Sequence, residues 1–338
     1  LSLSVGNFLA GARFGICSDG RVVISDLLDG GNDMSWFFIA LIGPLLYACT
    51  NYIDKILLER FFKKGGVGTL LIFSSLVSIC VLPFVFLMDR TVLDVGGIKI
   101  LILAVVGVLN VVVLWCYLMA LKDEEASTVV VFYQLVPVFG AILGYFVLDE
   151  ILTQKQLVAM ATIILGTTII SFEIDSENRF KLRRKTIPPM LVAAFCWALE
   201  SVLFKAVALE ENLWRSLFWE NLMLALYGVL IFVFIRSYRV NFLSAMRENS
   251  RGILSLNFLN EALYIAGNII ISFASLLAPI GLVALTESFQ PIFVLSIGLF
   301  LTAFFPRVAV EKMHLRHVLQ KIIAISITGI GTYLLLKS

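Results

Sequence analysis

The feature that most constrains this chain is the recurrence of apolar runs long enough to cross a bilayer. A hydrocarbon core needs about 20 consecutive apolar residues in helical form. Such runs follow one another along almost the whole of the 338 residues. Ten spans can be drawn, at 36–57, 66–88, 97–121, 125–148, 154–173, 187–209, 214–236, 253–277, 280–304 and 317–336. Composition agrees: 60% of residues are hydrophobic and 15% charged, where a soluble domain carries about 25% charged. The expectation is an all-α, multi-pass integral protein of the cytoplasmic (inner) membrane, with the lipid bilayer as its first partner. A net charge of +2 excludes nucleic acid as an expected one.

The polar segments divide the chain. Residues 1–33 are mixed and Gly/Asp-rich, with no continuous apolar signal segment. They read as an N-terminal extension, disordered or non-native, with Met34 as the expected natural start. The basic stretch "DSENRFKLRRKT", within 174–186, separates a first five-span half, 34–173, from a second, 187–338. The polar stretch 236–251 reads as a short amphipathic surface segment. The five cysteines show no ligand spacing, and the histidines, His314 and His317, lie together in a basic loop. No metal, cofactor or catalytic group is expected.

The halves echo one another. "FYQLVPVFGAILGYFVLDE" carries Pro137 inside an apolar helical pattern, and "LTESFQPIFVLSIGLF" carries Pro291 at the matching place. A shift of 154 also aligns Phe139 with Phe293, Gly144 with Gly298 and Ala120 with Ala274. A shift of 165 aligns Gly166-Thr167 with Gly331-Thr332, and one of 150 aligns Lys55 with Lys205. An odd number of spans per half makes the second half enter the membrane from the opposite side. That is an inverted repeat, a plan shared by many secondary transporters. A proline within a helix costs about 3 kcal/mol or more, so a matched pair points to paired hinges beside a central cavity.

The run "EEASTVVVFYQLVPVFGAILGYFVLDEILTQKQLVAMATIILGTTIIS" resembles the signature of the drug/metabolite transporter superfamily, EamA type. The elements that carry it are Ala126 and Ser127 in a turn, Pro137, the Leu148-Asp149-Glu150 helix end, and Gly166. Gly281 to Gly331 is similar, except that "LTAFFPRVAVEKMHLRH" has only Glu311 where the acidic helix end should be. The resemblance implies ten transmembrane helices, two inverted five-helix repeats and transport of a small metabolite by alternating access. It also implies both termini inside. The basic residues argue the reverse. Seventeen fall on odd-numbered connections and four, Arg90, Lys99, Lys155 and Arg215, on even-numbered ones. The richer side belongs in the cytoplasm.

Ionisable and polar residues within spans are functional candidates by default. Glu200 shares a helical face with Trp197, Ser201 and Phe204. Glu287 precedes Pro291 by one turn, with Gln290 between them. Asn257, Glu261, Tyr264 and Asn268 form a polar stripe, and Glu220 and Asn221 open the seventh span. The first half offers Asn110, Tyr133 and Gln134, none of them charged. Asp54, Lys55 and Glu59 are expected at the interface. The pathway candidates are therefore Asn110, Trp115, Tyr133, Gln134, Trp197, Glu200, Glu261, Tyr264, Asn268, Glu287 and Gln290. Trp115, Tyr133, Trp197 and Tyr264 form an aromatic wall in this reading. The glutamates have two readings. Either they bind a cationic solute or a coupling proton, or they pair structurally with Lys205 and Lys55.

No GxxxxGK[ST] nucleotide loop occurs. The function expected is secondary active transport of a small organic solute, amino-acid-like or amphiphilic, with export and proton coupling as options. The protein is expected as a monomer or homodimer. The alternative is an intramembrane enzyme or flippase acting on a lipid-linked substrate.

Overall fold

The computed structural model describes residues 35–57, 66–123, 129, 131–171, 187–304 and 315–337. It also describes a two-residue antiparallel pair, β1 (Gly15–Ile16) and β2 (Val22–Val23). The rest of the leader, the linker 174–186, Glu59, Ala126, Ser127, Glu311 and His314 lie outside the described residues.

Helices follow one another: α1 (Ser35–Ile56), α2 (Gly66–Val77), α3 (Val81–Met88), α4 (Gly97–Asp123), α5 (Val136–Leu148) and α6 (Gln154–Ser171). Then come α7 (Ile187–Glu210), α8 (Leu213–Phe234), α9 (Arg236–Leu277), α10 (Ile280–Glu287), α11 (Gln290–Phe304) and α12 (Leu315–Leu336). A 3₁₀ turn at Ser78–Cys80 joins α2 to α3, and another at Val131–Leu135 leads into α5. Among the described residues seven helical stretches are long and apolar enough to cross a membrane, and shorter apolar helices occupy Phe132–Leu148 and Ile323–Leu336. The chain is an integral multi-pass membrane protein. Its outer face is apolar: Phe146, Ile151 and Phe234 are each about three-quarters exposed. Its interior holds Asp54, Glu200, Glu220, Glu261 and Glu287, each less than a tenth exposed. That is the reverse of a soluble protein and suits a lipid solvent.

Small residues let the helices approach. Gly43 of α1 lies against Ile271 of α9, and Gly267 of α9 lies against Tyr47 of α1. Gly228 of α8 abuts Ser75 of α2. Gly166 of α6 faces Ala324 and Thr328 of α12, while Gly331 of α12 faces Thr162 and Ile163 of α6. The α6–α12 crossing thus uses one glycine from each helix, the pair aligned by the 165-residue shift.

Two expectations change. Residues 236–251 form no separate surface segment: they are the first turns of the continuous helix α9. The paired prolines are not inside helices. Pro137 sits in the first turn of α5, just after the 3₁₀ turn, and Pro291 is the second residue of α11. The first-turn N–H of a helix has no intrahelical partner, so proline loses nothing there. The chain interrupts each helix and restarts it at the proline. Among the described residues, Pro44 of α1 does lie inside a helix.

Adding side chains at the α6–α12 contact should therefore be costly. Gly166→Val drives its Cβ toward the Thr328 backbone, and overpacking of this kind costs about 1–3 kcal/mol. The expected outcome is a lower melting temperature in detergent than for Gly97→Val, whose site is open. Equal melting temperatures would refute the crossing.

Candidate functional site

The interrupted helices meet near the centre of the chain's packing. At the α10–α11 break the backbone tightens: Ser288 N donates to Leu285 O at 3.0 Å and Phe289 N to Thr286 O at 3.0 Å. The Ser288 carbonyl accepts from Gln134 Nε2 at 3.3 Å, across from the other break. Gln134 Oε1 accepts in turn from Thr167 Oγ1 at 2.7 Å. Gln134 is thus a structural tie and does not line the cavity beside it.

That cavity has two adjoining compartments. They share Thr50, Asp54, Asn110, Leu114 and Tyr264. The first adds Ser74, Glu220, Asn221, Asn260, Glu261 and Asn268. The second adds Tyr47, Asn51, Tyr117, Tyr133, Trp197, Glu200 and Gln290. Asn110 Nδ2 donates to Glu200 Oε1 at 3.0 Å. Ser74 Oγ donates to Glu261. Tyr133 and Trp197 meet edge to face at 4.8 Å, Tyr47 and Trp197 at 6.1 Å, and Tyr47 and Tyr264 tilt together at 5.5 Å. Of the four aromatic residues singled out in the sequence, Tyr133, Trp197 and Tyr264 line this compartment together. Trp115 is 42% exposed and faces outward from α4, so Tyr47 takes its place. Glu287 is buried behind the wall, within electrostatic range of Tyr47, Tyr133 and Glu200. Asn257 is fully buried in the packing, and its neighbour Asn260 reaches the cavity instead.

A first-half carboxylate belongs to the site after all. Asp54 is not at the interface. It is buried, accepts from Asn260 Nδ2 at 2.7 Å and from Tyr117 Oη at 3.2 Å, and lines both compartments. The signal was in the sequence: Tyr47, Thr50, Asn51 and Asp54 step by three and four along α1. The lysines are not counter-ions of the cavity glutamates. Lys205 Nζ pairs with Glu150 Oε1 at 2.5 Å and donates to Ala278 O at 2.6 Å. Lys55 Nζ donates to Leu121 O at 3.1 Å.

Glu150 does more than pair with Lys205. Its Oε2 accepts from Ile280 N at 2.7 Å, capping the start of α10. Asp149 reverses the chain in a left-handed conformation, φ 54°, so that Glu150 can reach back. A second tie lies on connections of the same parity. Arg215 Nη1 donates to Glu211 Oε2 at 2.9 Å and its Nε lies 3.7 Å from Asp89 Oδ2, while Lys99 Nζ donates to Glu211 Oε1 at 2.8 Å. The Lys99 and Arg215 hydrogen bonds hold Glu211 below the usual carboxylate range despite partial burial. Burial alone would raise Asp89, but hydrogen bonds from Thr91 and Asn212 and the Arg215 charge bring it below.

The comparisons follow this geometry. The model of the EamA-like transporter family, within the drug/metabolite transporter superfamily, matches residues 34–172. The resemblance read from the sequence holds over that half. No curated protein matches the chain. A solved structure titled "Crystal structure of protein" is similar in fold at 14% identity, with a TM-score of 0.54, over 89% of this chain and 95% of that one.

Two outcomes follow from the ties. Lys205→Met should lower stability by about 3–5 kcal/mol, because it strands Glu150, and Lys205→Met with Glu150→Gln should recover much of that loss. Denaturation of the single and double variants checks this. A depressed Glu211 stabilises the fold above its unfolded pKa, and that contribution is lost as pH falls through its lower folded value. The melting temperature of Glu211→Gln should therefore fall less than wild type between about pH 5 and pH 3. Parallel curves would contradict the assignment.

Proposed function

We propose that this chain is a secondary active carrier that moves a small organic solute by alternating access, and is not an enzyme. The observation that carries the reading is a polar, carboxylate-bearing cavity flanked by two interrupted helices inside an apolar-surfaced bundle. Broken helices around a polar midplane cavity are the usual means of binding in such carriers. The transporter family matched by the first half supports it.

The architecture proposed is ten transmembrane helices in two inverted five-helix repeats, 34–173 and 187–338, with 174–186 as the linker. Three symmetric features support it. Gln134 bonds to Ser288, its equivalent under the 154-residue shift. Gly166 and Gly331 serve one crossing from opposite sides. Lys55 and Lys205 each donate to a carbonyl near the end of α4 and α9 respectively. In this reading the breaks at Pro137 and Pro291 are hinges. The proposed pathway comprises Asp54, Asn110, Tyr133, Trp197, Glu200, Glu261, Tyr264, Asn268 and Gln290, with Glu287 behind it. The excess of basic residues places the odd-numbered connections in the cytoplasm of an inner-membrane protein. Proton coupling would act through the glutamates. An amino-acid-like or amphiphilic solute is the class considered first.

Purified protein in proteoliposomes, with and without an imposed pH gradient, tests the reading against a panel of labelled amino acids and amphiphilic amines. Saturable, gradient-driven flux of an unchanged solute is expected, with Glu287→Gln abolishing the response to pH. Chemical alteration of a lipid without solute flux would replace the carrier with an enzyme.

A further inference from the structure

The cavity's unsatisfied atoms narrow the chemistry of its ligand. Among the described residues, Glu220 Oε2, Asn260 Oδ1 and Gln290 Oε1 have no hydrogen-bond partner. Their residues line the cavity and are only 3%, 4% and 1% exposed. All three atoms are acceptors; Asn51 Nδ2 is the one donor of the lining in the same condition. A buried acceptor without a donor costs about 1–3 kcal/mol, so the fitting ligand brings N–H groups.

The charge balance points the same way. Asp54, Glu220 and Glu261 line the first compartment, and Glu200 lines the second. Among the described residues none of these four stands in an ion pair, because Lys205 is committed to Glu150. Asp54 lines the second compartment as well, so the carboxylates are divided between the two. Among the described residues no three acidic, His or Cys side chains gather as a metal-holding group. A compact ion does not match a spread of this kind, whereas a cation with two separated charges does. The second compartment adds aromatic faces: Tyr47, Tyr133, Trp197 and Tyr264 surround the approach to Glu200. Alkylammonium groups favour such a setting. The apolar side chain of Leu114, shared by the compartments, fits a methylene chain between the charges.

We propose that the cavity takes an aliphatic diamine, one ammonium among Asp54, Glu220 and Glu261 and the other at Glu200 against the aromatic wall. The proposal names the solute of the carrier described above and rests on that reading for its transport step. No covalent step is involved.

The probe is putrescine, 1,4-diaminobutane, titrated into the purified full chain in detergent, with the shift in melting temperature as readout. Putrescine should stabilise the protein saturably, and 1-aminobutane, with one charge, should bind about tenfold or more weakly. Glu220→Gln and, separately, Glu200→Gln should each weaken putrescine by about tenfold or more. Equal binding of the two amines, or no putrescine binding, overturns the assignment. The comparison of amines uses the unaltered chain, so it stands even if a variant fails to fold. Proteoliposome counterflow separates the two proposals. Putrescine binding without counterflow overturns the carrier reading and keeps the diamine site. Counterflow of leucine with no putrescine binding overturns the diamine site and keeps the carrier.

Discussion

Gln134 holds two broken helices together, and the rest of the architecture depends on that junction. In lipid every backbone polar group must find a protein partner or a polar cavity. A helix interrupted in mid-bundle exposes carbonyls that the ladder would have used. Here the Ser288 carbonyl accepts from the Gln134 amide, and Thr167 fixes that amide from α6. The junction therefore ties the turn before α5, the α10–α11 break and α6 with one side chain. With the breaks satisfied on this side, the helix restarts at Pro137 and Pro291 can flank a polar space at low cost.

That space concentrates charge. Asp54, Glu200, Glu220 and Glu261 face it from α1, α7, α8 and α9, and Glu287 lies behind it on α10. Isolated buried carboxylates are expensive. Amide and hydroxyl donors meet part of the need: Asn110 serves Glu200, Ser74 serves Glu261, and Asn260 with Tyr117 serves Asp54. Glu220 Oε2, Asn260 Oδ1 and Gln290 Oε1 are left unmet on residues that line the cavity, and Glu287 Oε2 is unmet behind it. A purely structural polar network would close on itself, with every acceptor met from within the protein. This one ends in acceptors that a ligand can satisfy.

Much of this was legible in the chain, for identifiable reasons. Apolar run length places the helices because bilayer thickness is fixed. The stripe at Glu261, Tyr264 and Asn268 follows helical spacing and reaches the cavity as spacing implies. Trp115 misled because an aromatic residue in an apolar helix carries no mark of which side it faces, and α4 turns it outward. Asp54 misled through its neighbours, since Lys55 suggested a helix end near water. Proximity along the chain outweighed the stripe that Tyr47, Thr50 and Asn51 had already drawn. Gln134 is polar and buried, as a pathway residue would be. What sequence could not convey is that its two amide ends were already taken by Thr167 and Ser288.

One face of the bundle is fastened by ion pairs, and this bears on how the proposed carrier would open. Lys205 reaches the Ala278 carbonyl and also the Glu150 carboxylate, which caps α10. The position 154 residues beyond Glu150 is Phe304, an apolar residue at the end of α11. Lys55, aligned with Lys205 by the 150-residue shift, donates to the Leu121 carbonyl. On the inverted-repeat reading these are equivalent contacts on opposite faces. Arg215 and Lys99 reinforce the face that already holds the pair. A rocking carrier needs its two closures close in energy. Opening the Glu150 face of such a carrier would break these ion pairs, and differential binding of a solute in the cavity is the means by which that cost could be offset.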